Sequence, residues 1–540
     1  MTHTISVHDR YADAEIRSFY DAGFWRAEGL SALLDEQAEA RGGKVFVSDG
    51  SGELTYADLR DRALALAGGL AGIGVGRGDR VAVQLPNWTE FFVVAAAVSR
   101  LGAVLVPIMP IYRADEVGYV LRHSGAKVAI TCREFKGFDH YAMFAALRPA
   151  CPDLTAVVAV RGDGDVRLDD LVRPGAELGP APSPDDGFLI VYTSGTTARP
   201  KGCFHTFNTV RASAAAIARS VGYREDDVQF GPSPVTHSTG LATSFLLPLL
   251  TGAASHLMEA WEPGEAWQRI AKYGCTAAVT ATPFLQMLMG AYDPDRHDAA
   301  SLRLWVCAGS PIPGSVVRRA GEQFAGCRVL SLYGRSENFL TTMCTLDDAP
   351  DRSATSDGSA IAGASVKIVD ELGDEVPRGT QGDITYRGPS HMLEYYRDPE
   401  QTAALFTADG QSRSGDLGVM DADGYVRVTG RLKDIVIRGG LNISARELEE
   451  LLVDHPRVAA VAVVGMPDER LGERVCAYVV PASDEPPSLG DLTGYLRERD
   501  VATPKLPERL EVLDELPMTA TGKVRKHVLR DDIRQKVTPK

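Results

Sequence analysis

Phe188-Leu-Ile-Val-Tyr-Thr-Ser-Gly-Thr-Thr-Ala-Arg-Pro-Lys-Gly202 passes from an unbroken apolar run directly into hydroxyls, glycine and a cation. The apolar run predicts a strand buried on both faces. The loop that leaves it carries Thr193, Ser194, Gly195, Thr196, Thr197 and Lys201. Hydroxyls and free amides donate hydrogen bonds and lysine adds charge, so the loop suits an anion. The spacing from Gly195 to Lys201 nearly fits a Walker A loop. Pro200, however, stands where that loop needs glycine, and Gly202 stands where it needs the Ser/Thr that holds magnesium, which disfavours a Walker-type NTPase. Read alone, the stretch is also compatible with a Ser/Thr-rich surface turn.

Working outward, strand-length apolar runs alternate with helix-length ones. RVAVQLP, KVAITC, TAVVAV, TAAVTATP, LRLWVCAG and RVLSLYG read as buried strands. Leu54–Ile73 has apolar residues at helical spacing with Thr55 as N-cap. This alternation predicts an α/β fold with largely buried, parallel sheets. After about residue 350, SVKIVDELGDEVPRGTQGDITYRG reads as strands joined by Gly- and Pro-containing turns, a β-rich segment. Beyond Arg431 the pattern is a small α+β unit. SARELEELLVDH is an amphipathic helix with Ser444 as N-cap and Glu447 three residues on, a capping-box pattern, and VAAVAVVGMP and RVCAYVVPA follow as strands. The expected division is a large N-terminal region of several subdomains, residues 1–430, a hinge at 431–433 and a C-terminal domain at 434–540.

A chain of 540 residues is too long for one compact core. A net charge of -15 argues against general binding to nucleic acid or anionic membranes. The eight cysteines are scattered, with no C-x-x-C, so neither a zinc site nor a disulfide framework is expected. The polar N-terminus lacks a secretory apolar core, and the apolar runs are too short to span a bilayer. A cytoplasmic protein is the expectation. Gly74-Val-Gly-Arg-Gly78 precedes a strand instead of following one, so it is no dinucleotide fingerprint.

The anion loop resembles the phosphate-binding signature of the adenylate-forming superfamily, which includes acyl-CoA synthetases, aryl-CoA ligases, firefly luciferase and peptide-synthetase adenylation domains. Four further segments match the family in order. Tyr333-Gly-Arg-Ser-Glu337 resembles its aromatic-Gly-x-Thr/Ser-Glu motif, and Ser414-Gly-Asp416 its ribose-binding aspartate. Gly430-Arg-Leu-Lys-Asp434 resembles its hinge, and Pro517-Met-Thr-Ala-Thr-Gly-Lys523 its C-terminal lysine loop. Each is weak alone; five in sequence are specific. Arg438-Gly-Gly-Leu-Asn-Ile-Ser and Lys505-Leu-Pro-Glu-Arg look most like the cyclohexanecarboxylate and medium-chain acyl-CoA ligase branch.

The resemblance implies that ATP and Mg²⁺ activate a small-molecule carboxylic acid, and that the acyl group then passes to coenzyme A. By resemblance Thr193 to Lys201 hold the β- and γ-phosphates, and Thr193 and Glu337 hold Mg²⁺ among oxygen ligands. Tyr333, Gly334, Arg335 and Ser336 belong to the nucleotide site, Asp416 and Arg431 serve the ribose, and Lys523 bridges the substrate carboxylate and the α-phosphate. His237 walls the acid site, while Gly309 and Ser310 line the pocket near adenine; alone, His237 also fits a core histidine. Lys433 is the expected hinge of a mobile C-terminal domain, and Gly439 and Gly440 would line a thiol tunnel in its second orientation.

Ser238 stands where aryl-acid enzymes of siderophore pathways carry Asn, so a hydroxybenzoate preference is not supported. Two positions depart from the family: Ala198 replaces a glycine of the phosphate loop, and Glu394 replaces a glycine of the Met-x-Gly-Tyr segment. Transfer to an acyl carrier protein, transfer to another nucleophile, and a catalytically silent adenylate-binding protein are the alternatives. The oligomeric state stays open, a homodimer included.

Overall fold

A computed structural model of the chain describes residues 5–193, 199–309, 312–324, 326–519 and 523–537. Ser194, Gly195, Thr196, Thr197, Ala198 and Ser310, singled out above, lie outside the described residues.

The alternating apolar runs form two large, mostly parallel sheets. In one, Gly187–Tyr192, Val104–Pro107, Arg80–Gln84, Ala126–Cys132 and Ala156–Val160 lie side by side, all parallel. In the other, Arg328–Tyr333, Leu304–Ala308, Ala277–Thr280, Val228–Gly231, Ala254–Leu257 and Val45–Ser48 do the same. Antiparallel strands occupy three of the four described edges, such as Gly202–Thr206 followed by Glu394–Tyr395. Helices Leu30–Arg41, Tyr56–Gly72 and Thr89–Arg100 fill the space between the sheets, sharing one apolar core with both. Helices Ala114–Ser124 and His140–Leu147 cover the far side of the first sheet; Pro263–Tyr273, Thr282–Gly290 and Gly314–Gln323 cover the second. Layers of this kind explain why the strands read as continuous apolar runs instead of alternating ones. Thr55 caps its helix as expected, accepting from the Asp58 amide in a reciprocal box.

The β-rich segment is a four-stranded antiparallel sheet of Ser365–Val369, Gln381–Arg387, Ser412–Met420 and Val426–Arg431. Past it, Ile435–Arg438, Leu441–Ser444, Val458–Asp468, Gly472–Pro481 and Arg509–Val512 make the sheet of the smaller C-terminal α+β region. There Ser444 accepts from the Glu447 amide at 3.3 Å, but the Glu447 carboxylate pairs with Lys505 at 2.8 Å. The expected capping box is therefore half made, because a cation across the unit outcompetes the backbone amide for the carboxylate. All eight cysteines are buried and unpaired. Among the described residues no helix is long and apolar enough to cross a membrane.

Candidate active site

Parallel strands of both sheets end at one cavity of about 400 Å³, with Thr193, Val279, Ala308, Gly309, Leu332 and Gly334 at or beside their carboxyl ends. Such ends are where α/β sheets place ligands, since loops diverge there and leave a crevice. The loop after Tyr192 is closed by two hydrogen bonds. The Thr193 amide donates to the Lys201 carbonyl at 2.8 Å, and the Lys201 amide donates to Thr193 Oγ1 at 3.3 Å. Lys201 Nζ lies 4.7 Å from the Tyr395 ring centroid and donates to Gln401 Oε1 at 2.6 Å.

The strand Arg328–Tyr333 delivers the second group. A Cβ on Gly334 would sit 1.9 Å from the Phe339 carbonyl oxygen, so only glycine lets this loop fold back on itself. Glu337 Oε1 accepts from Tyr395 Oη at 2.6 Å. The half-buried Arg335 donates to the Arg413 carbonyl at 2.9 Å and to Ser412 Oγ at 3.0 Å. These bonds tie the Glu337 loop to Ser412–Met420, the strand bearing Asp416. That aspartate is only 5% exposed, and each of its oxygens already has a donor: Tyr333 Oη at 2.7 Å and Arg431 Nε at 2.7 Å. Arg431 reaches it because the register of the two strands sets Arg431 directly opposite Asp416.

Lys523 enters from the C-terminal region. Its own loop is closed by the Thr519 amide donating to the Lys523 carbonyl at 2.7 Å and the Lys523 amide donating to Thr519 Oγ1 at 3.0 Å. The side chain runs past Gly309, whose Cβ position would be 3.5 Å from Lys523 Cε. Burial, reinforced by the Arg431 charge, pushes the ammonium down to about 8, against the upward pull of Asp416 and Glu337. Burial and the nearby Lys523 charge push His237 down to about 3, so this imidazole is neutral at any ordinary pH. His237 Nδ1 accepts from the Thr239 amide at 3.3 Å, which assigns the ring proton to Nε2 as a donor.

The chain is strongly acidic overall, yet Lys201, Arg335, Arg431, Lys433 and Lys523 line this cavity against only Glu337 and Asp416. Five cations against two carboxylates suit a polyanion. Thr193 Oγ1 and the Glu337 carboxylate are hard oxygen donors, the kind that fits Mg²⁺ bound jointly with phosphates and water.

Of the residues expected from sequence, Thr193, Lys201, His237, Gly309, Gly334, Arg335, Ser336, Glu337, Asp416, Arg431, Lys433 and Lys523 share the cavity. Tyr333 acts one bond back, through Asp416. Gly439 and Gly440 do not line it. They form the turn between Ile435–Arg438 and Leu441–Ser444, at φ +58° and +86°, values that favour glycine.

Sequence reasoning missed Tyr395, which touches both Glu337 and Lys201. It also missed what places Tyr395. Arg10 Nε donates to the Leu393 carbonyl at 2.7 Å, Tyr11 Oη to the His391 carbonyl at 2.8 Å, and Trp25 Nε1 to the Pro389 carbonyl at 2.8 Å. The Met392 amide donates to the Glu337 carbonyl at 2.7 Å. The N-terminal segment thus straps down the very stretch that carries Tyr395. Glu394, unexplained from sequence, is buried opposite Phe204, with the Arg10 charge close by.

Cations at the ends of parallel strands, a carboxylate pair, and a lysine brought in by a separate small α+β domain define an adenylate-forming class of protein. The chain belongs to the AMP-binding enzyme family: the AMP-binding enzyme pattern matches residues 34–396, and the AMP-binding enzyme C-terminal domain matches 447–523. The chain is 35% identical to a medium-chain fatty-acid–CoA ligase of Escherichia coli (strain K12), over 96% of its own length and 93% of the relative's. Among solved structures it is similar to an anthranilate CoA ligase in complex with anthranoyl-AMP (TM-score 0.88, 26% identity, 94% and 98% of the two chains). It is also similar to an amide bond synthetase from Marinactinospora thermotolerans (TM-score 0.82, 28% identity, 93% and 99%).

Proposed function

We propose that the protein uses ATP to convert a carboxylic acid into an acyl-adenylate with release of pyrophosphate, then transfers the acyl group to the thiol of coenzyme A, releasing AMP. The observation that carries this is the convergence of Lys523, Lys201, Glu337 and Asp416 on one cavity. A carboxylate oxygen must attack the α-phosphorus while pyrophosphate leaves, which brings anions together; neutralising and orienting them is most of the catalysis. Lys523 supplies charge where the carboxylate meets the α-phosphate. Thr193 and Lys201 hold the β- and γ-phosphates, and Asp416, fixed by Tyr333 and Arg431, takes the ribose hydroxyls. Glu337 and Thr193 would hold Mg²⁺, which adds positive charge at the phosphates.

The thiol step needs Lys523 out of the way. Residues 434–540 rotate about 431–433, with Lys433 as pivot, and the Gly439-Gly440 turn then lines the path of the pantetheine arm. Support comes from the short helix Leu432–Asp434 at this point, and from Leu432, Ile437 and Leu441, which are 53%, 54% and 41% exposed. Apolar surface left open beside a hinge is what a second orientation would cover. Coenzyme A is favoured as acceptor by the similarity to CoA ligases along nearly the whole chain. The amide bond synthetase neighbour favours a second reading, an amine acceptor for the same adenylate. Mass spectrometry of products formed from ATP, acid and CoA, in parallel with a phosphopantetheinylated carrier and with an amine, decides it. Acyl-CoA is expected; adenylate without acyl-CoA, and rapid acylation of carrier or amine, would overturn the acceptor and keep the adenylation.

A further inference from the structure

The charged groups of the cavity come from the segments 193–201, 334–337, 414–416 and 431–433 and from Lys523, the parts that face phosphate, ribose and carboxylate. Inward of Lys523 and His237 the wall is made by Ile217, Ala242, Val279, Ala308, Leu332 and Phe339. None of these carries charge, and the only titratable neighbour, His237, is held neutral by its burial.

Ile217, Val279, Ala308 and Leu332 belong to one packed cluster that continues behind the wall as Val221, Leu247, Val306 and Leu330, each at most 1% exposed. These four residues are therefore backed by solid core. Lengthening the pocket past these four residues would mean opening that cluster, and protein cores do not open by several methylenes without cost. The hydroxyl of Thr243, which also faces this space, donates to the Thr239 carbonyl at 2.8 Å and so offers a ligand only acceptor lone pairs. A cavity of about 400 Å³ for nucleotide and acid together is at the small end for ligand sites.

We propose that the acid taken here is a compact monocarboxylate with an uncharged, mainly apolar body, a single ring or a short branched chain, its carboxylate toward Lys523 and its body against Ile217, Val279 and Leu332. This rests on the adenylation reading. A second carboxylate, or the ammonium of an amino acid, would be buried on this wall with no counter-charge, and a fatty chain of sixteen carbons would strike the cluster behind it.

The test is acid-dependent pyrophosphate release, read as kcat/KM, for cyclohexanecarboxylate, benzoate and hexanoate against malonate, phenylalanine and palmitate. The first three are expected to exceed the last three by on the order of a hundredfold or more. Malonate, phenylalanine or palmitate matching or beating the compact acids overturns the proposal and leaves adenylation standing. Release with none of the six overturns the acid class, and adenylation itself is then judged by a wider screen of acids. Ile217→Ala should deepen the pocket and raise the decanoate-to-hexanoate ratio by about tenfold. Val279→Ala carries the same expectation should the first variant fail to fold. An unchanged ratio in a folded variant overturns the assignment of this wall to the acid.

Discussion

Replacing Lys523 by Ala removes the one cation that, among the described residues, the C-terminal domain brings to the cavity, and the structure sets both the size and the pH signature of the loss. The ammonium titrates at about 8 because burial and Arg431 oppose its charge. A lysine with a lowered value is protonated, and able to neutralise the carboxylate–phosphate encounter, only below that pH. Its charged fraction falls from about 0.9 at pH 7 to about 0.1 at pH 9, so kcat/KM for adenylation should drop about tenfold across that interval with a slope approaching -1. In kcat the descending limb should move to higher pH, because bound phosphates stabilise the ammonium. Lys523→Ala should lower adenylation by on the order of a thousandfold, about 4 kcal/mol, the scale of one preorganised contact at developing charge. It should also abolish the limb near pH 8. The assay is initial-rate pyrophosphate release from pH 6.5 to 9.5, alongside thiolation of a supplied acyl-adenylate, which should survive. A limb that persists in a folded Lys523→Ala protein, or equal loss in both half-reactions, would refute the role.

Tyr333→Phe strips Asp416 of one of its two donors and should raise the KM for ATP about ten- to a hundredfold, the worth of one hydrogen bond to a charged group; an unchanged KM would contradict the arrangement. Trp25→Phe leaves the Pro389 carbonyl without its indole donor, so the urea midpoint should fall by an amount worth about 1–3 kcal/mol, and no shift would show that the N-terminal strap bears no load. Lys433→Pro fixes φ near about -65° and removes an amide donor; thioester formation should fall further than adenylation, and equal loss would place the pivot elsewhere.

Much of the site was legible in the sequence because its residues act from loops whose residue types the chemistry dictates. Lys201 could be singled out by residue type and spacing, and Glu337, Asp416 and Lys523 by the resemblance of their motifs to the family; all four line one cavity. The strands were legible too, since burial on both faces leaves no polar residue to interrupt runs such as Ala156–Val160. Sheet order was not: Arg80–Gln84 lies between Val104–Pro107 and Ala126–Cys132, a placement fixed by crossovers and not by any local pattern. Tyr395 was invisible for a related reason. Its value comes from pairing with Gly202–Thr206 and from carbonyls held by Arg10, Tyr11 and Trp25, the last three being contacts across more than 360 residues. The acid wall was illegible because Ile217, Val279 and Leu332 look like any other core residues until packing turns one edge of their cluster toward the cavity.

The central claim is that this cavity joins a carboxylate to the α-phosphate of ATP. Incubating the wild-type protein with ATP, Mg²⁺ and ¹⁸O-labelled acid, then analysing the nucleotide after addition of CoA, tests it most directly. The account predicts pyrophosphate release only when acid is present, and one ¹⁸O atom carried from the acid into the AMP. Formation of ADP and phosphate, or AMP that is free of the label, would contradict it.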